Sequence, residues 1–449
     1  MNTSKSSPQS AKMPSSVRHT RAIQRDRSKR PIVAAPAPVV AAHLTALIHP
    51  HTVSQIARYR DLGLRERLLT LPVMVALVLS MIWRQIGSVA TLLHLLTEEG
   101  FLWTAPVQVS EQALSQRLRV FPAALFQQVV RDLLPTLQAR WQDRRRPLPP
   151  ELAWARAHYG AVLAVDGSTL DALLRKVGLL RECAETPLAG RMTALLDLCS
   201  RLPRQLWYEA DAAAHDQRHW PQIVAAIPRG ALVVFDLGYT NFARFAELTQ
   251  APVTFVTRAK SNLAYTVVRS LRRTAAVHEA IVGIGTGEAR QHLRLIEVLW
   301  HGTWHRYLTN ELDPTVLPTE YAVALYWQRW RIEDAVNLVK RLLGLAYLWV
   351  GSANGVAVQL WATWLLYAVL VDLTDAVAEE LNHPFAALSL EMVYRSLYFF
   401  TSAYQRGEAT DPVAYLAQKA ARFGIIKRQR QTTSPSRFKE LALTLASGP

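Results

Sequence analysis

Tyr326-Trp-Gln-Arg329-Trp-Arg-Ile-Glu333-Asp-Ala-Val-Asn-Leu-Val-Lys340 is the stretch from which this chain is best read. Arg329, Glu333 and Lys340 lie three, seven and fourteen positions after Tyr326. On a helix turning about 100° per residue, these four side chains project within one narrow arc. A hydroxyl, a guanidinium, a carboxylate and an ammonium would then share a face. Such a face suits a metal-bound phosphodiester, with the carboxylate on the cation and the other groups on phosphate oxygens. The same pattern also describes a solvated helix face with spaced charges. The rest of the chain has to decide between the two.

Two upstream runs bear on that choice. Ala161-Val-Leu-Ala-Val165 and Ala231-Leu-Val-Val-Phe235 are short, continuous and apolar, as strands buried on both faces are. Each runs into an aspartate with glycine close behind, in Asp166-Gly167-Ser168 and Asp236-Leu-Gly238-Tyr239. Helical patterns follow both, so an α/β layer is expected. Taken singly, each aspartate is an ordinary strand-ending or turn residue. Taken with Glu333, they supply the hard oxygen donors that divalent-metal phosphoryl transfer requires, at strand ends where α/β sheets place functional groups.

This constellation resembles the bacterial insertion-sequence transposases of the DDE class, in the family called insertion sequence four. The family's Y-x2-R-x3-E-x6-K signature is matched at every spacing by Tyr326, Arg329, Glu333 and Lys340. The two aspartate contexts, Thr309-Asn310 and the strand running into Arg258-Ala-Lys260-Ser-Asn262 are also similar, over roughly residues 105–400. The resemblance implies an RNase H-like catalytic core interrupted by a β-rich insertion and preceded by an all-α DNA-binding domain. It implies strand cleavage and strand transfer, with Asp166, Asp236 and Glu333 as catalytic and metal-binding residues. The implied cofactor is Mg²⁺, with Mn²⁺ as a substitute. The implied partners are transposon-end inverted repeats and target DNA, bound by a homodimer in a synaptic complex. Tyr326, Arg329 and Lys340 would grip phosphates, and Arg258 and Lys260 are further candidates for backbone contact. Trp300 and Trp304 are candidates to stack on a flipped base, although tryptophans in a β segment commonly just fill its core. A nuclease of the same fold, or an inactive DNA-binding relative acting as a repressor, is the alternative.

Composition sets the frame. A chain of 449 residues exceeds what one core serves, so several domains are expected. A formal net charge of +16 points first to nucleic acid as the polyanionic partner. Cys183 and Cys199 form no metal-type spacing and fit a reducing cytoplasm, near the nucleoid for a DNA-acting protein. The N-terminus has no secretory pattern, and the apolar runs Leu71–Trp83 and Val356–Val371 are shorter than a membrane span needs.

The expected organisation is a disordered basic arm over 1–45 and a helical DNA-binding domain with linker over 46–150. The first part of the core follows over 151–265, the β-rich insertion over 266–318, and the second part of the core over 319–400. A basic tail spans 401–449. Ser110 is the expected N-cap of a short helix carrying Arg117 and Arg119, similar to the second helix of a helix-turn-helix unit. Arg144-Arg-Arg146 followed by prolines reads as a linker. Gly283, Gly285 and Gly287 read as turn glycines, since no helix follows them to make a nucleotide loop. His215 is expected to be structural.

Overall fold

In the computed structural model, the two apolar runs that end in aspartate become neighbours. It describes residues 38–446 apart from 65, 87, 171–189, 212–215, 240, 286, 288–289, 346–351 and 428–436. β1 (Val162–Thr169) pairs in parallel with β4 (Leu232–Phe235), with Val165 opposite Phe235. β2 (Arg191–Asp197) and β3 (Pro203–Glu209) continue antiparallel from β1, and β5 (Thr254–Arg258) lies parallel to β4. The segment expected as a β-rich insertion supplies β6 (Thr266–Arg273), β7 (Val277–Ile284), β8 (Gln291–Trp300) and β9 (Thr303–Thr309). These four extend the same sheet, giving nine strands in the order β3-β2-β1-β4-β5-β9-β8-β7-β6. The seam between β5 and β9 is reinforced by Asn310, whose side chain accepts from the Phe255 amide and donates to the Val253 carbonyl.

Strand alternation sorts the sheet into two faces. Leu163, Val165, Val233 and Phe235 join Trp220, Phe245 and Phe255 in a core on one face. Val162, Ala164, Leu232 and Val234 face the larger core on the other, together with the helices that follow the insertion.

The N-terminal helices are α1 (Pro38–Val53), α2 (Ile56–Asp61), α3 (Leu71–Trp83), α4 (Val89–Glu98), α5 (Glu111–Val120), α6 (Ala123–Asp143) and α7 (Pro150–His158). Helices α8 (Trp220–Ala226) and α9 (Phe242–Gln250) cover the first sheet face. Past the sheet come α10 (Thr319–Trp327), α11 (Trp330–Arg341), α12 (Ala353–Glu380), α13 (Leu390–Gln405), α14 (Pro412–Gln418) and α15 (Arg437–Ala446). The 28-residue α12 is the hub, packing against α3, α5 and α6 before the sheet and against α13 and α14 after it. It is longer than the apolar run that marks it in the sequence. By length and composition it could cross a membrane, yet 94% of its most apolar window is buried inside the protein.

Several expectations need correction. The basic arm cannot extend to residue 45, because residues 38–45 already belong to α1, whose Val40 and Leu44 are buried. Residues 1–37, Cys183 and His215 lie outside the described residues. Ser110 does cap α5, accepting from the Ala113 amide. However, residues 99–110 separate α4 from α5, far more than the three- or four-residue turn of a helix-turn-helix unit. Arg117 is half-buried and Arg119 exposed on α5.

The arginine triplet is not a free linker. Arg144 pairs with Asp372 at 2.8 Å and Asp375 at 3.1 Å, Arg146 pairs with Asp375, and Arg140 reaches Asp372 at 3.2 Å. Two buried carboxylates on α12 demand positive charge, and this segment supplies it. Nor are residues 401–427 a tail, since α13 and α14 pack on α12. Beyond them, α15 buries Leu441 and Leu445. Of the basic residues that suggested a tail, Arg428 and Arg430 lie outside the described residues.

Candidate active site

Past Val165 and Phe235, strand alternation turns Asp166 and Asp236 toward the same face as Ala164 and Val234. Adjacent strands lie about 4.8 Å apart, so the in-register pairing makes the two aspartates neighbours. The Asp166 carboxylate accepts from the Gly167 amide at 2.9 Å, and Asp236 accepts from Leu237 at 2.7 Å. Helix α11 packs on β1 and carries Glu333 in its first turn, where a negative charge is favoured by the helix dipole.

The Tyr326 motif does not lie on one straight helix. The chain tightens between α10 and α11, where Arg329 N–H donates to Tyr326 and Ile332 N–H to Arg329, both three residues back. Neither glycine nor proline marks this break. Buried Glu151 on α7 holds it from outside by accepting from Gln328, whose own side-chain oxygen accepts from Arg331 at 3.0 Å. Nothing in the sequence singles out Glu151 for this task.

The break places the Arg329 guanidinium among the acids. Its Nη2 lies 2.7 Å from Glu333 Oε1, and its charge is further favoured by Asp236. Burial works against that charge, but Tyr326, Asp236 and Glu333 outweigh it and raise the Arg329 pKa. Burial also pushes the Asp166 carboxyl up to about 6; Arg329 opposes this, while Glu333 and Asp236 add to it. The Tyr326 phenol is pushed up to about 12, chiefly by burial. Its ring stands edge-on to Tyr307 at 5.3 Å.

The donor chemistry suits a hard divalent cation, but the arrangement does not. Among the described residues, no group of three or more His, Cys, Asp or Glu side chains is gathered closely enough to hold a metal ion. Glu333 is committed to Arg329 instead.

The remaining candidates divide. The buried Lys340 ammonium donates to the Ser168 hydroxyl and the Thr169 carbonyl, bracing β1 just beyond Asp166. Ser168 stands out in the sequence only as part of the aspartate motif, so this partnership was not legible there. Arg258 is exposed at the end of β5, and its charge reaches Tyr326. Lys260 is exposed, and its carbonyl accepts from Arg306. Trp300 is only 7% exposed and packs on Trp327 at 5.1 Å, so a base-stacking role for it does not fit this structure. Trp304 is 40% exposed and stacks on His278, but alternation from Leu308 puts it on the sheet face opposite the two aspartates. Half-buried Cys199, its thiol pushed up to about 12 chiefly by burial, takes no part.

Residues 184–369 match the family described as transposase DDE domain. The match takes in Asp236, Glu333 and Lys340 and begins after Asp166. Such a domain implies dependence on a divalent metal ion. A protein of Sinorhizobium fredii (strain NBRC 101917 / NGR234) assigned as transposase y4zB is 30% identical over 191 residues, 40% of this chain and 52% of that protein. The probable transposase for insertion sequence element IS5377 of Geobacillus stearothermophilus is 26% identical over 159 residues, 34% of this chain and 41% of that one. The chain thus spans about half the length of the curated relatives it matches. The cryo-EM structure of the piggyBac transposase synaptic complex with hairpin DNA covers 90% of this chain and 88% of its own. It aligns at 11% identity with a TM-score of 0.38, too loose a likeness to bear on the fold.

Proposed function

We propose that this chain is a DNA transposase of an insertion sequence, of the insertion sequence four type, that cuts at the ends of its element and joins the freed 3′-hydroxyl to target DNA. The observation that carries this reading is the register of β1 and β4. It sets Asp166 beside Asp236 on the face where α11 brings Glu333, and the charges of Asp236 and Glu333 both reach the Asp166 carboxyl. The DDE domain match and the two transposase relatives support it. The strand order β3-β2-β1-β4-β5, with β1, β4 and β5 parallel, supports an RNase H-like core that the insertion strands extend.

Asp166, Asp236 and Glu333 are the proposed catalytic carboxylates and the proposed holders of Mg²⁺, for which Mn²⁺ would substitute. The protein's own cations would serve the substrate: Arg258 is exposed with its charge reaching Tyr326, Lys260 is exposed two residues on, and the chain carries a net +16 for a polyanion. The helical region 38–158 is the proposed DNA-binding domain, and a homodimer on paired ends the proposed working form.

A strand-transfer assay with the full chain, Mg²⁺ and a pre-cleaved end of the flanking inverted repeats tests the reading. Joined products are expected. Cleavage without joining would instead define a nuclease, and binding with neither reaction a repressor.

A further inference from the structure

We infer that Arg201, Arg331 and Lys427 together form a binding site for a phosphate-type oxyanion, separate from the three carboxylates and independent of their assignment. Each cation comes from a different part of the chain. Arg201 lies in the turn between β2 and β3, Arg331 in the first turn of α11, and Lys427 past α14. The short turn Phe385–Ala387, between α12 and α13, gathers two of them. The Arg201 guanidinium carbon lies 4.5 Å from the centre of the Phe385 ring, and the Lys427 ammonium donates to the Ala386 carbonyl at 3.1 Å. Arg331 joins them from α11, its charge reaching both Arg201 and Lys427.

Arg201 is fixed in place despite an unfavourable backbone. Its φ of 61° is left-handed, a conformation that glycine adopts without strain and arginine does not. Hydrogen bonds hold the turn: the Asp197 carboxylate accepts from the Cys199 and Ser200 amides, and the Arg201 amide donates to the Asp197 carbonyl at 2.8 Å. Buried Tyr367 on α12 donates to the Arg201 carbonyl at 3.0 Å. So held, the guanidinium meets an aromatic face, and no carboxylate pairs with it among the described residues. The charges of two acids reach it, Asp334 and Asp375. Asp375 is already paired with Arg144 and Arg146, and the Asp334 side chain is 68% exposed and 3.8 Å from Arg331. Three cations therefore share one exposed carboxylate. Burial, and then the charge of Arg331, pull Arg201 down to about 9. Unbalanced positive charge drawn out of water calls for an anion. A phosphate group offers oxygens to a forked guanidinium and to an ammonium at once. Free phosphate and the phosphate of a DNA strand share that chemistry.

The test titrates inorganic phosphate onto the full chain, with ionic strength held constant by chloride, and reads the thermal unfolding midpoint. The wild type should show a saturable rise. Arg201→Gln and Lys427→Gln should each bind phosphate about tenfold or more weakly, whereas Lys427→Arg, which keeps the charge, should stay within about threefold of the wild type. Lys427 is exposed, so Lys427→Gln keeps the test decisive should Arg201→Gln fail to fold. A duplex without terminal repeats then separates the two sources. If it displaces phosphate, and Lys427→Gln lowers the salt slope of duplex binding by about one, the site holds a DNA backbone phosphate. If phosphate binds equally well beside saturating duplex, the site holds the free anion. A rise that does not saturate, or one that is the same in wild type and both glutamine variants, overturns the inference.

Discussion

Two arginine–glutamate pairs in this molecule answer the same electrostatic problem in opposite ways. In the sheet extension, Arg294 is fully buried and every guanidinium nitrogen is used: Nε and Nη2 donate to Glu279, Nη1 to the Leu317 carbonyl, and Nη2 also to Thr319. Thr319 in turn donates to the other Glu279 oxygen, so β7, β8 and the start of α10 are locked together. At the candidate centre, the Arg329–Glu333 pair leaves one donor unmet and one carboxylate open to solvent. The first pair is wholly enclosed, whereas the second reaches solvent through Glu333. The first holds the helix that leads to Tyr326; the second sits among the acids.

The comparison breaks first under mutation of Arg294. Arg294→Ala strands the Glu279 charge in the interior and should cost about 3–5 kcal/mol in urea unfolding. A cost under about 1 kcal/mol would mean the two pairs are equivalent. The tryptophans draw the same contrast in apolar terms. Trp300→Ala should cost about 3 kcal/mol through the cavity it leaves. Trp304→Ala, at an exposed position, should stay within about 1 kcal/mol. Equal losses would contradict the assignment of faces.

Asp166 sharpens the comparison from the side of pH. Its folded-state pKa of about 6 lies above its ordinary 3.8. The stability it contributes is therefore complete below about pH 4 and is lost as pH rises through about 6. Metal-free Asp166→Asn should accordingly unfold with about 1–3 kcal/mol more stability than the wild type at pH 7.5, and with no advantage below about pH 4. An advantage independent of pH would sever the link to charge. The smallest effect belongs to Arg329→Gln. It should cost about 1 kcal/mol or less, because half-exposed Glu333 can turn to water.

Much of this layout was legible in the chain. Two apolar runs closing on Asp166 and Asp236 read as buried strands in an α/β layer, while their direct parallel pairing is seen only in the structure. The break at Gln328 was not legible, because tight three-residue hydrogen bonds and Glu151 from a distant helix make it, with no proline or glycine to announce it. The roles of Trp300 and Trp304 depend on strand register, which alternation in a single strand leaves open. The triple arginine at 144–146 looked like a linker only because its partners, Asp372 and Asp375, lie more than two hundred residues away.

The central claim is that Glu333 acts chemically together with Asp166 and Asp236. Its most direct test is Mg²⁺-dependent cleavage of the inverted-repeat ends flanking this reading frame, run on wild type and Glu333→Gln alongside a gel-shift measurement of DNA binding. The expected result is a loss of cleavage of about a thousandfold or more, the scale for removing a group that stabilises developing charge, with binding unchanged. Cleavage by Glu333→Gln at the wild-type rate would contradict it.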